Sequence, residues 1–491
     1  MADRNAVEYP EPSGNHRVDV VVVGGGITGL TTALLAQRAG ASVAVVERNR
    51  IGTGTTGHST GKVTSQHGLI YHDLLDRHGP NVAGTYAEAN QWAVGMVSEL
   101  AAELAPEAEF QSSPAIVFTT DPEATKPLES EYAASLRLGL PSSLTSDCDL
   151  PFDVALCLLF EDQGLVHPAR YCDGLAREIS ERGGLIFEET SATGLTEDSE
   201  RVVVSTRQAE LTGAKAVVAT LLPFVDRAGF FAKTRPGRTY GIAALLRDRP
   251  PHGMYISSGS PKISLRPWGE RGLIIIGEGH APGHPDATPG RWGELERWAR
   301  ENFDVESFEY RWSSQDYETF DGLPLVGRAP RMSRTYVATG FGKWGLTNGT
   351  VAAAILSDLV TGASNRWQTA FEATRLPGLT GVKNLLAFNA KVGKELVIGT
   401  ISRLSPTDLE DLPRGDARLV EFDGKTVGAY RDAGGDVHAV SLTCTHLGCT
   451  VAWNDAERSW DCPCHGSRFS MEGEVLEGPA TEDLEKYTLE A

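Results

Sequence analysis

The sequence predicts an α/β fold over most of the chain, followed by a smaller all-β domain. The chain has 491 residues, which corresponds to about three units of ~150 residues. A β-branched strand, Val18–Val23, leads through consecutive glycines into a small-residue helix, Ile27–Ala39, and a second apolar strand, Ser42–Glu47. After residue 399, short strand patterns with Asp-Gly and Gly-Gly turns replace the helices, which favours an all-β domain there.

The alternation of helices and strands continues beyond this first unit. An amphipathic helix over Pro168–Arg182 ends at two glycines and precedes the strands Leu185–Glu188 and Lys215–Thr220. The strand Thr335–Thr339 leads through a glycine-rich turn into a helix from about Gly349 to Val360. Weaker strand patterns are found at Ala115–Thr119, Lys262–Arg266 and Gly272–Gly277. Strands that alternate with helices in this way are typical of an α/β fold.

Composition excludes several classes of function. The chain has 45 Lys+Arg and 65 Asp+Glu, so its formal net charge is −20, and it lacks a long-range attraction for nucleic acid or anionic lipid. Its apolar runs are shorter than the ~18 residues of a membrane helix, and the first sixteen residues do not resemble a signal peptide. We therefore expect a soluble, cytoplasmic protein that binds neither nucleic acid nor membrane.

A glycine motif between the first strand and helix predicts a dinucleotide site. Gly24–Gly29 fits G-x-G-x-x-G: Gly24 makes the tight turn, Gly26 lets the backbone approach a pyrophosphate, and Gly29 permits close helix packing. Glu47 ends the second strand, where a carboxylate can hold ribose hydroxyls. The residues expected to contact the dinucleotide are Gly24, Gly26, Ile27, Thr28, Gly29, Glu47 and Arg48.

Further glycine-rich stretches separate FAD from NAD. Together with the first motif, Gly52–Gly61, Gly164–Pro168, Asp321–Gly327 and Gly340–Gly349 resemble the D-amino-acid oxidase/glycine oxidase/sarcosine oxidase superfamily of FAD enzymes over about residues 17–375. The resemblance implies a Rossmann-like FAD-binding fold interleaved with an antiparallel-sheet substrate lobe. The implied FAD-binding segments are about 17–68, 163–226 and 316–375, and the substrate lobe is mainly 110–162 and 227–315.

The same resemblance implies further FAD contacts and a reaction. The additional FAD-binding residues would be Thr55, Thr56, His58, Gly340, Phe341, Gly342, Gly345, Leu346 and Thr347. The reaction would be hydride transfer to the flavin from a C–H beside the nitrogen of a small amine-like substrate. For His58 two alternatives stand: a covalent link to FAD, as in dimethylglycine-dehydrogenase-like relatives, or a hydrogen-bonding loop histidine.

Substrate residues are predicted from position. Lys343 stands where glycine-oxidase-like members carry a cation for the substrate carboxylate, but a lysine lacks the bidentate fork of arginine. The alternative for Lys343 is a solvated or flavin-facing lysine. Arg266 is the second predicted catalytic residue, and Tyr240 and Tyr255 could line the pocket or serve packing.

Four of the seven cysteines fall within 21 residues: Cys444, Cys449, Cys462 and Cys464. The pairs Cys444/His446 and Cys462/His465 could hold zinc as a Cys₂His₂ site. Zinc explains neither the other two cysteines nor the later turn Gly478–Ala480. All these features together resemble a Rieske [2Fe–2S] domain over about residues 399–491, following a linker at 376–398.

The Rieske resemblance implies residue roles. Cys444 and Cys462 would ligate one iron, and His446 and His465 the other. Cys449 and Cys464 match the loop-bridging disulfide of cytochrome bc-type Rieske proteins. Rieske potentials run from about −150 to +300 mV. Ser467 matches a hydroxyl that raises the potential, whereas Phe469 replaces a tyrosine that donates a hydrogen bond, so we expect a potential below the top of this range.

Two functions from different classes follow. The first is an FAD-dependent dehydrogenase for an amine or amino-acid-like substrate, with electrons passed singly through the cluster to an external acceptor or redox partner protein. The second is an electron-transfer or redox-sensing protein without an amine substrate. Residues 399–491 have 8 Lys+Arg and 18 Asp+Glu, so a partner protein would carry a basic docking patch or be reached without electrostatic steering. An aromatic-ring oxygenase is a weaker third alternative.

Overall fold

A computed structural model of the chain describes residues 7–225, 228–283, 289–375, 389 and 409–488. The predicted linker at 376–398 lies outside these residues, apart from Asn389. Among the helices of the described ranges, none combines the length and the apolar character needed to cross a membrane.

The elements are numbered in chain order. The helices are α1 (Ile27–Arg38), α2 (Tyr71–Leu104), α3 (Lys126–Arg137), α4 (Pro168–Glu181), α5 (Phe230–Lys233), α6 (Gly290–Asn302), α7 (Gly345–Thr361) and α8 (Gln368–Phe371). The strands before residue 400 are β1 (His16–Val23), β2 (Val43–Val46), β3 (Lys62–Val63), β4 (Gln111–Ser112), β5 (Ala115–Thr119), β6 (Ser142–Thr145), β7 (Leu156–Phe160), β8 (Gly164–Leu165), β9 (Leu185–Phe187), β10 (Ala192–Glu197), β11 (Val202–Thr206), β12 (Glu210–Val218), β13 (Thr234–Leu246), β14 (Met254–Ser257), β15 (Ser264–Trp268), β16 (Gly272–His280), β17 (Val305–Thr319), β18 (Leu325–Arg328) and β19 (Thr335–Thr339). The later strands are β20 (Ala417–Phe422), β21 (Lys425–Arg431), β22 (Val437–Val440), β23 (Ala452–Asn454), β24 (Ser459–Asp461), β25 (Arg468–Phe469), β26 (Val475–Glu477) and β27 (Lys486–Tyr487).

The first sheet has a parallel centre. Its strands run β10-β11-β12-β1-β2-β9, and β19 adds to β12 in parallel. All four residues of β2 are buried, as expected for a strand covered on both faces. Helices α1 and α7 pack against each other beside this sheet. The carboxyl ends of β1 and β2 therefore meet at one edge, where a ligand binds in such sheets.

Helix α2 is the largest element that the sequence analysis did not predict. It begins at Tyr71 and ends at Leu104, and a kink at Gly79–Pro80 divides it, since Gly79 has a left-handed φ of 77°. Its buried residues pack with α7 and α4 in the main hydrophobic core. The predicted helix from Gly349 was too short, because α7 already begins at Gly345.

The second sheet forms a separate lobe. Its strand order is β17-β13-β16-β15-β14-β5-β7-β6, and every neighbouring pair is antiparallel except β14 with β5. The long pair β13 and β17 runs from this lobe towards the first sheet and ends beside the turn at Gly340. The fold is therefore the expected α/β flavoprotein architecture with an interleaved sheet lobe.

The last part of the chain is all β. One four-stranded antiparallel sheet has the order β20-β21-β22-β27, and a second has the order β23-β24-β25-β26. Trp460 and Phe469 are buried in the hydrophobic cluster that also contains the four cysteines of this region. This arrangement agrees with the predicted all-β fold.

Candidate functional site

The turn after β1 has no room for side chains. Gly24 has a φ of +110°, and a Cβ atom there would lie 2.5 Å from the carbonyl oxygen of Ala219. A Cβ atom on Gly29 would overlap the carbonyl oxygen of Gly24. On Gly26, by contrast, the nearest atom would be the Thr56 hydroxyl oxygen at 3.0 Å. Two glycines therefore set the turn, while Gly26 leaves backbone open to a ligand.

The acid at the end of β2 is held by backbone amides. The Gly25 amide donates to Glu47 Oε2 at 2.7 Å, and the Asn49 amide donates to Oε1 at 3.0 Å. Burial raises the pKa of Glu47, although these amides oppose the shift. A carboxylate has about four acceptor positions, so Glu47 keeps capacity for ligand hydroxyls. Beside it, Arg48 donates to the carbonyl oxygen of Leu476 in the C-terminal domain at 3.3 Å.

The second glycine-rich turn is strained and held by one carboxylate. Gly340 and Gly342 have φ values of 78° and 61°, and Lys343 also has a left-handed φ of 73°. Lys343 is held in this conformation because its amide donates to Asp316 Oδ2. Helix α7 begins two residues later at Gly345, so its first turn lies beside this loop.

A cavity of about 1470 Å³ joins the two glycine-rich regions. That volume exceeds the ~300–1,000 Å³ typical of small-ligand pockets and is large enough for a dinucleotide with substrate. Predicted site residues that line it are Gly24, Gly26, Ile27, Thr28, Glu47, Arg48, Thr55, Thr56, His58, Gly340, Phe341, Gly342, Lys343, Gly345 and Leu346. Gly29, Thr347 and Arg266 are not among its lining residues. The residues present therefore fit an extended FAD molecule.

The loop before β3 also lines the cavity. Thr56 Oγ1 accepts from the Ile27 amide at 3.2 Å, and Thr55 donates to the Gln315 carbonyl at 3.2 Å. His58 Nδ1 lies 2.9 Å from the carbonyl oxygen of Gly54 within the same loop. This contact corresponds to the hydrogen-bonding alternative for His58, and covalent attachment stays an untested prediction.

The predicted substrate residues occupy different places. Lys343 is exposed and lines the cavity. Arg266 does not line the cavity, and burial lowers its pKa to about 10. Tyr240 and Tyr255 are fully buried outside the lining, with hydroxyls bonded to His280 and to the His252 carbonyl. The two tyrosines therefore have the packing role that was the alternative for them.

Several cavity residues were missed by the sequence analysis, among them Lys62, His67 and Asp316. Lys62 is 8% exposed and donates to the Tyr255 carbonyl at 3.0 Å and to Ser264 Oγ at 2.7 Å. Burial holds the pKa of Lys62 well below its usual range, and the nearby charge of Arg266 lowers it further. A lone lysine in an unassigned strand of two residues gave no sequence signal for this environment.

The second missed residue is His67, which supports the second glycine-rich turn, at Gly340–Gly345. Its Nε2 lies 2.8 Å from the Thr64 carbonyl and 2.9 Å from Thr347 Oγ1, so Nε2 carries the proton. Its ring stacks on Trp344 at 4.8 Å. Burial lowers the pKa of His67 to about 3, so it is neutral at physiological pH. Thr347 therefore positions this histidine rather than lining the cavity.

Asp316 gives the cavity a titratable acid. It is 8% exposed and lines the cavity beneath the turn at Gly342–Lys343. Burial raises the pKa of Asp316 to about 6, although the amides of Tyr317 and Lys343 oppose the shift. Its charge therefore changes close to physiological pH.

The two C-terminal loops share one backbone pattern. Cys444 N–H donates to the Cys449 carbonyl, and Gly448 N–H donates back to the Cys444 carbonyl. In the second loop, Cys462 N–H donates to the Ser467 carbonyl, and Gly466 N–H donates back to the Cys462 carbonyl. Gly448 and Gly466 have φ values of 76° and 77°. Each loop therefore presents its cysteine and histidine from an equivalent turn.

The four predicted cluster ligands face one another. Cys444, Cys462 and His465 are buried, His446 is half-buried, and the two imidazole rings lie 5.1 Å apart. The hydrogen bond between the two thiols lowers the pKa of Cys444 and raises that of Cys462. Two thiolates and two imidazoles are the donor set of a Rieske cluster, so these residues fit it.

The remaining cysteines and the serine lie around the ligands. Cys449 and Cys464 form a disulfide between the two loops, as the resemblance implied. Disulfide sulfurs are not thiolate ligands, although those of Cys449 and Cys464 lie within 4.8 Å of the Cys462 sulfur. Ser467 Oγ accepts from the Ala480 amide at 3.0 Å, which fixes the later turn over the loops.

A buried ionic network joins the two domains at the cavity. Arg238 on β13 is 1% exposed and lies 2.9 Å from Glu457 and 3.9 Å from Glu477. Arg468 lies within 3.4 Å of both acids and 3.1 Å from Asp461. Burial lowers the pKa of Arg468, but the three carboxylates outweigh it and raise the pKa above its usual range. The C-terminal domain therefore docks through charges that are largely removed from water.

Comparisons with known proteins agree with the folds described for both parts of the chain. The model of the family of FAD dependent oxidoreductases, DAO, matches residues 19–359, and the Rieske [2Fe-2S] domain model matches residues 406–488. The Bacillus subtilis (strain 168) protein YhfW, whose name describes a Rieske 2Fe-2S iron-sulfur protein, is 35% identical over 487 residues, 98% of this chain and 96% of that protein.

Two further relatives each match one half. The cytochrome b6-f complex iron-sulfur subunit of Chlorobaculum thiosulfatiphilum is 36% identical over 90 residues, 18% of this chain and 49% of that subunit. Glycine oxidase from Geobacillus kaustophilus has the same fold with a TM-score of 0.64 at 19% identity, covering 74% of this chain and 100% of that chain. The Rieske match decides against zinc. The chain therefore belongs to the FAD dependent oxidoreductase family DAO and carries a C-terminal Rieske domain, with FAD and a [2Fe–2S] cluster as its cofactors.

Proposed function

We propose that this protein oxidises a small amine or amino-acid-like substrate at a C–N bond and releases the electrons singly, through its Rieske cluster, to an external acceptor. The observation that carries this proposal is the shared cavity. Its walls include both glycine-rich regions of the oxidoreductase domain and, from the Rieske domain, the segment Leu476–Pro479. A cavity whose walls come from both the oxidoreductase domain and the Rieske domain favours a joint function over two independent ones.

The turn at Gly340–Gly345 is predicted to contact the flavin, and we call it the flavin-side turn. Charged groups that could bind a substrate lie beside it in the cavity. Lys343 reaches the cavity from the turn and is available to an anionic group of the substrate, as the resemblance to glycine oxidases implies. Asp316 lies beneath the same turn and is available to a cationic nitrogen once it has lost its proton. The substrate supported best is therefore a small molecule with an amine and a second polar group.

Lys62 is the side chain best suited to accept a proton in this cavity. Burial holds the pKa of Lys62 well below its usual range and so favours the neutral amine, whose two N–H groups bond the Tyr255 carbonyl and Ser264. Its lone pair remains as an acceptor. Loss of a proton from the substrate ammonium would prepare the nitrogen for oxidation, so we assign this proton transfer to Lys62.

The bound cofactors supply the redox chemistry: FAD accepts two electrons as hydride, and a Rieske cluster carries one electron at a time. Oxidation of one C–N bond to an imine releases two electrons and two protons. An external one-electron acceptor must therefore collect twice for each substrate molecule. The protein's own contribution is to hold the Rieske domain against the wall of the cavity that fits FAD.

Anaerobic mixing of the holoprotein with a panel of amines and amino acids tests the proposal. We expect at least one compound to bleach the flavin absorbance as fast as the enzyme turns that compound over. Lys62→Met should slow bleaching most at low pH, where protonated substrate dominates, and Lys126→Met on α3 is the matched control. If no compound bleaches the flavin, the electron-transfer or redox-sensing alternative replaces the amine oxidation proposed here.

A further inference from the structure

The loop that carries a predicted cluster ligand lies against strand β17 of the oxidoreductase domain. The Tyr317 hydroxyl donates to the main-chain carbonyl of His465 at 2.8 Å. Gln315 Nε2 donates to the carbonyl of the next residue, Gly466, at 2.7 Å. Both donors are 1% exposed, and they stand two residues apart on the same face of β17. Two buried hydrogen bonds therefore hold the second cluster loop.

The packing around these bonds is close. A Cβ atom on Gly466 would lie 2.7 Å from Gln315 Nε2 and 2.8 Å from the Tyr317 hydroxyl oxygen. The ring of Phe231 meets both histidine rings edge-on, at 5.4 Å from His446 and 5.0 Å from His465. A side chain at position 466 would therefore displace the two donors that hold the loop, and the left-handed φ of 77° at this position also favours glycine.

Tyr317 also reaches the other redox site. Its main-chain carbonyl accepts a hydrogen bond from the Gly342 amide at 3.0 Å, in the turn predicted to contact the flavin. The neighbouring Asp316 accepts from the Lys343 amide of the same turn. One residue of β17 thus bonds the flavin-side turn through its backbone and the cluster loop through its side chain.

We propose that Tyr317 is a positioning residue for electron transfer within the chain, which docks the His465 loop of the Rieske domain on the flavin-side turn. The proposal rests on the proposed passage of electrons from flavin to cluster, but not on the amine substrate. Each substrate oxidation supplies two electrons, which cross this contact one after the other. A one-electron acceptor such as ferricyanide takes each electron from the cluster, and the two protons leave to solvent.

A light-driven experiment on the holoprotein tests this role without any substrate. The bound flavin is reduced by a laser flash in the presence of EDTA as the sacrificial donor, and the reduced cluster is followed by freeze-quench EPR. The variant is Tyr317→Phe, which removes the hydroxyl and keeps the ring. The matched control is Tyr310→Phe, because Tyr310 lies on the same strand but is 46% exposed.

In the wild-type protein we expect first-order reduction of the cluster that is independent of protein concentration. Tyr317→Phe should slow it at least about three-fold, since one buried hydrogen bond corresponds to about two- to ten-fold in an equilibrium. The EPR g-values and the cluster potential should stay unchanged, and Tyr310→Phe should retain the wild-type rate. A slower rate together with altered g-values would instead indicate a disturbed cluster and would count against a positioning role.

A second variant covers the case in which Tyr317→Phe does not retain the cluster. Gln315→Leu removes the hydrogen bonds of Gln315 to the Gly466 carbonyl and to the Tyr317 hydroxyl, keeps Tyr317 itself, and should slow cluster reduction in the same way. A wild-type rate in a Tyr317→Phe protein that retains its cluster would overturn the proposal, as would a wild-type rate in Gln315→Leu if Tyr317→Phe loses its cluster. Because light replaces the substrate, a failed amine panel would leave this result intact and would overturn only the amine chemistry.

Discussion

The cluster ligands come from two loops between Cys444 and His465, whereas the cavity walls come from segments between Val23 and Pro479. Each loop is a short turn whose own backbone hydrogen bonds and positive-φ glycine set its shape. The cavity has no such local origin, because its residues are brought together by the parallel sheet, the long pair β13 and β17, and the docked Rieske domain.

This difference predicts which substitutions affect only one of the two sites. A change in a cluster loop acts on ligands that are neighbours in the chain, and the cavity should retain its glycine turns. A change at the domain boundary acts on both sites, because the segment Leu476–Pro479 belongs to the Rieske domain and lines the cavity. The first two experiments below therefore change one site each, and the third changes the boundary between the two domains.

The largest expected effect is loss of the cluster with the flavin retained. Cys462→Ala removes one of two thiolates from an iron, so iron and labile sulfide should fall from about two of each per chain to near zero. Elemental analysis and the flavin released by acid measure both cofactors. Cys148→Ala is the control, since Cys148 is half-exposed and outside the loops. Equal loss of flavin would show that the sites are not independent.

The opposite result, weaker FAD binding with the cluster retained, is expected for Gly29→Ala. The new Cβ atom would overlap the Gly24 carbonyl, so the phosphate-binding turn must move. A backbone shift of this kind costs about 1–3 kcal/mol, which corresponds to about 5- to 150-fold weaker FAD binding. Iron content should stay unchanged. Gly84→Ala on α2 meets nothing within 4 Å and should bind FAD normally. Normal FAD affinity in Gly29→Ala would refute the assigned role of this glycine.

Arg238→Met tests the boundary between the regions. Arg238 is 1% exposed, and its removal leaves Glu457 with Arg468 alone, so we expect destabilisation of about 2–3 kcal/mol, below the ~3–5 for a fully broken buried pair. Arg235→Met is the control on the same strand, because its pair with Glu318 is exposed and worth about 0–1 kcal/mol. Urea titration followed through the cluster absorbance measures the stability of both variants. Equal unfolding midpoints would argue against a larger stabilising contribution from Arg238 than from Arg235.

The smallest expected effect is a pH dependence in the cavity. Asp316 is protonated below its pKa of about 6 and anionic above it. Binding of a permanent cation should therefore strengthen as pH rises through about 6, by roughly three- to ten-fold. Titration with tetramethylammonium, read from the flavin absorbance between pH 5 and 7.5, measures it. Asp316→Asn should abolish the change and the exposed Asp153→Asn should retain it, whereas the same profile in Asp316→Asn would exclude Asp316 as its source.

Several regular elements were predicted well from their local patterns, including one strand with a weak pattern. The strands Ala115–Thr119 and Thr335–Thr339 have their predicted bounds, and the helix from Pro168 ends one residue before the predicted Arg182. Helix α2 was missed because its Gly79–Pro80 pair reads as a terminator, while burial against α7 and α4 holds both halves in place. The roles of individual site residues stay predictions until they are measured.

The sequence by itself determined the two cofactor families, because the turn at Gly24–Gly29 and the loops around Cys444 and Cys462 impose their chemistry over a few consecutive residues. The tertiary structure alone decided that Lys62 and Asp316 border one cavity and that Tyr317 meets the His465 loop. Desolvation and docking depend on which segments pack together. A lysine, an aspartate and a tyrosine have no local pattern that reports such packing.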